Sequence, residues 1–491
     1  MLELTAADAR ALAAGTSDTS SRTHNGHGRP HESGRSARDS AAAAIPRRPG
    51  STAHAAAMPP EVAPGPASTL SYRTAWVGLA GLLITGLVIA LSAAHTMTLL
   101  PASLRPDPGA LGGAFRYVGL DIGLPGLAAA LVLMFLSYAL ALRAIGQLPR
   151  RAVLSCILAL NVLVLIAPPL MSTDLFSYIA YGRLGALYSI NPYLHGPNLM
   201  SIDPLYHLVG AQWTHTPTAY GPLFTALSYP LAGLTIAANV FAYKAIAALS
   251  SFVVVWLVWQ AARLRGMDPV KAVALVGLNP VIVVYGVGGG HNDLLMLAIL
   301  VAGIYVLLRQ REGTGGAMII AATAVKLTAG VLLPFAIAAS AGRRVATSGR
   351  ARVIAGAALA SMVFAVLGLT LFGWGPLHLL GTLTSIQAGG GVHSIPGFVL
   401  NGLGLGRFDW LLSDMLHAAY AVSLAWLIHR VWIGELDWIT AAGWATVGLL
   451  ISAGALMPWY VAWLIPLAAL STDRRLWLTA IGLTSLGLTS L

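Results

Sequence analysis

Apolar runs long enough to cross a lipid bilayer recur from Thr74 to the end of the chain, with mostly short loops between them. A run of roughly 18 to 25 apolar residues satisfies its backbone polar groups in lipid only as a helix. The short alternating segments of a membrane β-barrel are missing. Only 10% of the residues are charged, against about 25% in an average soluble protein, and 57% are hydrophobic. The expected fold class is therefore an all-α polytopic membrane protein.

The formal charge of +11 does not point to nucleic acid. Most of its Lys and Arg residues beyond the N-terminal stretch fall in short loops between apolar runs, where they set topology. The partner that composition implies is the lipid bilayer. Cys156 is the single cysteine and lies inside an apolar run. It excludes an internal disulfide and a Cys-rich metal site, and reads as a small core residue.

Residues 1–70 are rich in Ala, Ser, Gly, Arg and His and lack a sustained apolar period. Such a composition buries too little surface to offset the entropy of ordering, so a disordered cytoplasmic tail is expected there. Residues 71–491 form the expected transmembrane domain, and Thr74–His95 reads as a retained signal anchor. Placing the basic clusters on the cytoplasmic side gives a path of about thirteen crossings in the plasma membrane. It leaves residues 172–238 as a long extracytoplasmic loop. Within that loop, the piece from Pro222 to Leu234 is short and broken by Pro230 and Gly233. It reads as a juxtamembrane or re-entrant helix. Two shorter helices meeting at Lys326 are expected between Gly315 and Ala341.

The path was fixed by charges on one side, yet it brings Asp174, His291, Asp293, Lys326, His393 and Trp459 to the other. Polar residues scattered at random would divide between the two faces. Their convergence points to one external site.

Asp174, Tyr178 and Tyr181 fall at i, i+4 and i+7 of a helix beginning near Ser172, so they share a face. A carboxylate beside aromatic rings suits a sugar, whose hydroxyls need acceptors and whose C–H face packs on aromatics. The plainer reading is that Asp174 only complements a helix dipole. Arg183, Lys326 and His291 are candidates to hold a phosphate. Against that, Lys326 can be a snorkelling lysine and Arg183 a lipid head-group contact. His291, Asn292 and Asp293, in GGGHND, line a cleft or ligate a metal, but the trio matches no specific metal pattern. No cofactor is indicated. Asn191, Tyr193 and Tyr220 sit in the turn signals NPY and YGPL, which can be loop architecture alone. Trp459, Tyr460 and Trp463 are either substrate contacts or an interfacial aromatic belt. His393, with Gln387, lies in a glycine-rich segment that is a lid or a plain linker. No Walker A, GxGxxG, GxSxG or HExxH motif is present.

The ordered set of Asp174–Gly182 (with Ser177 and Tyr178), Asn191–Tyr193, Tyr220–Leu223, Gly289–Asp293, Lys326–Thr328 and Pro458–Tyr460 resembles the GT-C membrane glycosyltransferases. Among these it is most similar to the polyprenol-phosphomannose-dependent α-1,6-mannosyltransferases of MptA/MptB type. The resemblance runs from about residue 74 to the end. It implies a GT-C-like bundle, a lipid-linked sugar donor, and a mannan or glycolipid acceptor in lipomannan and lipoarabinomannan assembly. In that chemistry Asp174 would be the general base, with Asp203 or Asp293 as alternatives. Lys326, Arg183 or His291 would meet the leaving phosphate. Single displacement would invert the anomeric centre. Two other readings stay open: a GT-C enzyme using another lipid-linked sugar, and a transporter or flippase of lipid-linked saccharides, which would show internal repeats.

Overall fold

The computed structural model describes residues 69–93, 109–340, 346–388 and 394–489. Most of the expected tail, the start of the first outer loop from Pro101, and His393 lie outside the described residues. Every regular element among the described residues is helical.

Helices α1 (Thr69–Ser92) and α2 (Gly123–Arg143) pack against each other. Helix α3 (Arg150–Ile166) begins after Pro149, which has no N–H to leave unpaired, and stops ahead of Pro168 and Pro169. Helix α4 (Asp174–Ala186) has 13 residues, too few to span a bilayer, and is buried from Asp174 to Leu184. The loop after it is built from single 3-10 turns at Pro197–Met200, Tyr206–Leu208 and Ala211–Trp213. It ends in α5 (Pro222–Ser228), a helix of seven residues at the segment read as a short re-entrant piece.

Helix α6 (Ile236–Leu264) is long, with the Thr235 hydroxyl capping Ala238 N–H. Its end is tied by a bidentate Arg265–Asp437 pair, both bonds 3.1 Å, to the start of α15 (Trp438–Ser452). Between them come α7 (Pro269–Gly277), α8 (Asp293–Leu308), α9 (Glu312–Val325), α10 (Leu333–Ala339), α11 (Ala346–Phe372), α12 (Leu379–Ala388), α13 (Ile395–Gly402) and α14 (Asp409–Trp432). Two short pieces close the chain, α16 (Ile465–Ala469) and α17 (Arg474–Thr489).

The expectation of about thirteen crossings meets a different distribution of lengths. Five described helices, α1, α2, α6, the Ser348–Phe372 part of α11, and α14 with the turn before it, are long and apolar enough to cross a bilayer. A sixth arises if α7 and the π-helix Val281–Gly288, bent by 54° at Asn279–Pro280, count as one span. Other apolar stretches are shorter helices: α8, Leu327–Ala339, α15 and Pro458–Ala469. The physical reason is visible in the breaks. Pro280 and Pro458 cannot donate a backbone hydrogen bond, and Lys326 adopts an extended backbone (φ −148°, ψ 124°) between α9 and a 3-10 turn, Leu327–Leu332.

The two kinds of helix have different surroundings. Only 6% of the apolar window of α14 and 22% of that of α11 is buried, so these helices present apolar side chains outward. The broken helices lie inside, where their interrupted ends meet.

Candidate active site

Four of those interruptions converge. They are the start of α4 at Asp174, the GGGHND turn before α8, the Lys326 break after α9, and the 3-10 turn Pro458–Trp463. Irregular backbone is tolerated inside a membrane protein where it is buried in protein or lines a polar cavity. Here each break delivers polar or aromatic side chains to one cluster.

Asp174 occupies the first turn of α4 and is 6% exposed. One carboxylate oxygen accepts the indole N–H of Trp213 at 2.9 Å. The other lies 3.9 Å from His291 Nδ1, longer than a hydrogen bond. Burial pushes its acid up to about 6; Lys326 and the Trp213 bond pull it down, and Asp293 pushes it further up. Its place in the first turn of α4 fits the helix-dipole reading.

Asp293 holds the corresponding place at the start of α8. Its Oδ1 accepts from Lys326 Nζ at 2.7 Å and from Trp463 Nε1 at 2.6 Å, while Oδ2 is buried without a partner. The Lys326 ammonium also sits 4.7 Å from the Tyr460 ring centre and 5.2 Å from that of Trp463. Those two rings stack at 4.3 Å. A cation held by a carboxylate on one side and π faces on others is fixed in place rather than free to reach bulk water. Snorkelling is not what Lys326 does.

His291 is fully buried and stacks on Trp459 at 4.0 Å. Its Nδ1 is 3.3 Å from the Tyr178 hydroxyl, which also reaches Asn292 Oδ1 at 3.5 Å. Burial lowers the imidazole to about 3, so the ring is neutral at ordinary pH. A neutral ring offers a single N–H and no charge. The turn that presents it depends on Gly290, whose φ is +66°; a Cβ there would lie 2.5 Å from Leu175 Cδ1 on α4. Trp459 and Trp463, each 7% exposed, are inside the bundle and form no interfacial belt.

Tyr178 and Tyr181 do share a face, with both rings approaching Tyr220 (5.0 and 6.3 Å). Tyr220 is placed by the next residue. Gly221 N–H donates to Val325 O at 3.0 Å, and a Cβ on Gly221 would collide with the Ala324 carbonyl. The YGPL segment thus docks on the end of α9, directly before Lys326. Asn191 and Tyr193 do not join the polar cluster by any hydrogen bond. Asn191 donates to Phe372 O at 2.7 Å, and the Tyr193 hydroxyl donates to Tyr220 O at 2.9 Å. They fasten the loop to the end of α11 and to YGPL.

Arg183 and Asp203, candidates for phosphate binding and for the base, are instead committed to each other at 2.7 Å. Asp203 also accepts from Tyr188 OH and Leu205 N–H, and Arg183 from its second nitrogen donates to Leu234 O. The charge that singled them out is spent on an internal brace of the loop. Gln387 accepts from Ala455 N–H at 3.1 Å, just upstream of Trp459.

The family described as "Alpha-(1->6)-mannopyranosyltransferase, N-terminal domain" matches residues 75–342, more than half of the chain. The chain belongs to this family. A Mycolicibacterium smegmatis relative named as a probable alpha-(1->6)-mannopyranosyltransferase is 28% identical over 63% of this chain and 63% of its own length. Alpha-(1->6)-mannopyranosyltransferase A of Mycobacterium tuberculosis is 27% identical over 63% of this chain and 64% of its own. The protein of the same name from Corynebacterium glutamicum is 30% identical over 36% of this chain and 37% of its own. The chain thus spans less than two thirds of the length of these relatives. No solved structure matches it.

The mannopyranosyltransferase family region holds Asp174, Asp293 and Lys326, whereas the Trp459–Trp463 wall of the cluster lies beyond it. One residue of the site carried no sequence signal strong enough to single it out: Trp213, on Asp174. Lys244 was also missed, although a lysine inside the apolar run of α6 is a recognisable flag. Its ammonium donates to Ala167 O and Pro168 O, just ahead of α4, and its stem passes Gly290. It also borders a cleft of ≈ 260 Å³ between the end of α3, the start of α6 and residues 110–114, lined otherwise by apolar groups and backbone. Among the described residues no group of three His, Cys, Asp or Glu side chains is placed to hold a metal ion.

Proposed function

We propose that this protein is an inverting membrane glycosyltransferase that moves mannose from a polyprenyl-phosphate donor to a mannan or glycolipid acceptor, forming α-1,6 linkages. The observation that carries the reading is the meeting of Asp174 with the Asp293–Lys326 pair and an aromatic wall in a chain otherwise poor in charge. The names of its relatives supply the sugar and the linkage.

Phosphate is already a good leaving group, so the reaction needs a base for the incoming hydroxyl and a cation for the outgoing charge. The acceptor oxygen bonds to C1 of the mannosyl group as its proton passes to Asp174. The bond from C1 to the phosphate oxygen breaks, and its electron pair leaves on the polyprenyl phosphate, whose charge Lys326 meets. Attack opposite the leaving group turns a β-linked donor into an α-linked product. Asp293 holds Lys326 aimed. Trp459, Tyr460 and Trp463 offer faces for the sugar C–H surface. Tyr178, His291 and Asn292 offer hydroxyl, imidazole and amide groups for its hydroxyls. The cleft beside Lys244 has the apolar lining that an isoprenoid chain requires. With the basic loops read as cytoplasmic, this chemistry lies at the extracytoplasmic surface, in the loop 172–238, and the N-terminus lies in the cytoplasm.

The test is a donor panel on purified protein. Polyprenyl-phosphate-linked mannose, glucose and arabinose are offered with a synthetic mannoside, and the product linkage is read by NMR. Transfer from the mannose donor with an α-1,6 product is expected. Preference for another sugar, or movement of the lipid-linked donor across a vesicle without transfer, would overturn it.

A further inference from the structure

Trp213 is unlike the other members of the cluster. It comes from the loop rather than from a helix break, and it directly contacts the carboxylate assigned as base, at 2.9 Å. Its support is slight. The 3-10 turn Ala211–Trp213 has three residues, and Ala211, Gln212 and His215 around it are exposed. Two tethers set the turn over the start of α4. Gly210 lies so close to Thr173 that a Cβ would strike its hydroxyl, and Thr216 O accepts from Tyr181 OH at 2.9 Å. Trp213 is partly buried, its ring packed against the edge of the core while its N–H turns to Asp174.

We propose that Trp213 is a latch on Asp174, holding the carboxylate until an acceptor hydroxyl displaces its indole N–H, so that water is kept from acting as the nucleophile. This rests on the reading of Asp174 as the base. The chemistry gives such a device a purpose. A carboxylate able to deprotonate a sugar hydroxyl can equally deprotonate water. Water oxygen would then bond to C1, its proton would pass to Asp174, and the C1–phosphate bond would break, releasing free sugar and polyprenyl phosphate. Such hydrolysis would consume the donor without extending any chain. An indole N–H bonded to the carboxylate occupies the oxygen that a water molecule would use. A hydroxyl held by the rest of an acceptor glycan brings enough binding energy to take its place. Trp213 is on this account a positioning residue, which sets what Asp174 can reach.

The experiment uses the full chain in nanodiscs with radiolabelled polyprenyl-phosphomannose, with and without a mannoside acceptor, and counts free mannose and elongated product separately. Trp213→Phe keeps a ring and removes the N–H. Its ratio of hydrolysis to transfer is expected to rise about tenfold, the size of one charge-assisted hydrogen bond. Gly210→Ala leaves the indole intact and pushes its turn off Thr173, so it is expected to move the ratio in the same direction. A fall in transfer with an unchanged ratio in both variants would overturn the latch, because lost packing alone does not redirect the sugar to water. Asp174→Asn placed on Trp213→Phe should abolish the hydrolysis. Hydrolysis that persists in this double variant would also overturn the latch, whereas undiminished transfer in Asp174→Asn alone would overturn the assignment of the base.

Discussion

Helix α4 carries a buried carboxylate at its start and a buried guanidinium near its end, and their surroundings differ in kind. Asp203, brought to Arg183 by the loop, has every side-chain oxygen engaged: Oδ1 with Arg183 and Leu205 N–H, Oδ2 with Tyr188. Only the Nε of Arg183 lacks a partner there. At the other end, Asp293 Oδ2, His291 Nε2 and Asn292 Nδ2 are all buried without partners, on three consecutive residues. An unmet buried polar group costs about 1–3 kcal/mol. A satisfied network is architecture, and the leftover donors and acceptors around Asp293 are what the proposed function assigns to the sugar hydroxyls.

The comparison breaks most sharply at the two aspartates. Asp174→Asn should lower mannosyl transfer by about a thousandfold, the range for loss of a positioned base, while the protein still accumulates in membranes. Asp203→Asn should not approach that loss per folded molecule. Equal losses in the two variants, measured as turnover of labelled donor by purified protein, would erase the distinction.

Lys326→Met comes next. Removing the cation that meets the leaving phosphate should lower kcat/KM for the donor by about a hundredfold. The KM for the acceptor should stay close to its original value. An equal weakening of both substrates would place Lys326 in general support of the cluster instead.

Acidity gives a smaller and graded effect. Burial raises the Asp174 acid to about 6, so the base is lost on acidification well before an ordinary aspartate near 3.9 would be. Transfer should hold steady above about pH 6 and fall about tenfold for each pH unit below it. His291 is already neutral and stays so down to about 3, and therefore adds no second limb in between. A pH–rate profile with its acid limb at the ordinary aspartate value would mean that Asp174 titrates as an exposed carboxylate.

Much of the helical membrane architecture was readable because lipid permits so few backbone solutions. Asp174, His291, Asp293 and Lys326 were readable for a related reason: an ionisable side chain inside or beside an apolar run has to be accounted for. The number of long helices was not readable in the same way. Hydropathy counts apolar residues, and it continues unbroken across Pro280 and Pro458, where the helices stop, whereas the break at Lys326 was marked by its charge. The role of Arg183 was misjudged because a charge in a sequence does not name its partner, and Asp203 lies 20 positions away. Trp213 was invisible for the same reason, being 39 residues from the carboxylate it caps. The aromatic residues of MPWY were legible as important but not as to where, since a membrane belt and a buried wall have the same composition.

The smallest expected effect on transfer is at the satisfied end of α4, and it tests the comparison from the opposite side. Arg183→Met or Asp203→Leu alone leaves a buried charge without its partner, which destabilises by about 3–5 kcal/mol. Thermal unfolding in detergent should report this for each single variant. The double variant Arg183→Met with Asp203→Leu replaces the pair by apolar groups of similar bulk and should recover most of that stability, as buried ion pairs commonly allow. If this brace only fastens the loop, transfer per folded molecule should stay within about threefold in all three variants, because no reacting atom touches it. The same exchange at the Asp293–Lys326 pair should recover stability without recovering any transfer. Recovery of activity in both double variants would mean that the unmatched polar atoms around Asp293 serve no substrate. Recovery in neither would mean that Arg183, despite its complete set of internal partners, reaches the substrate as well.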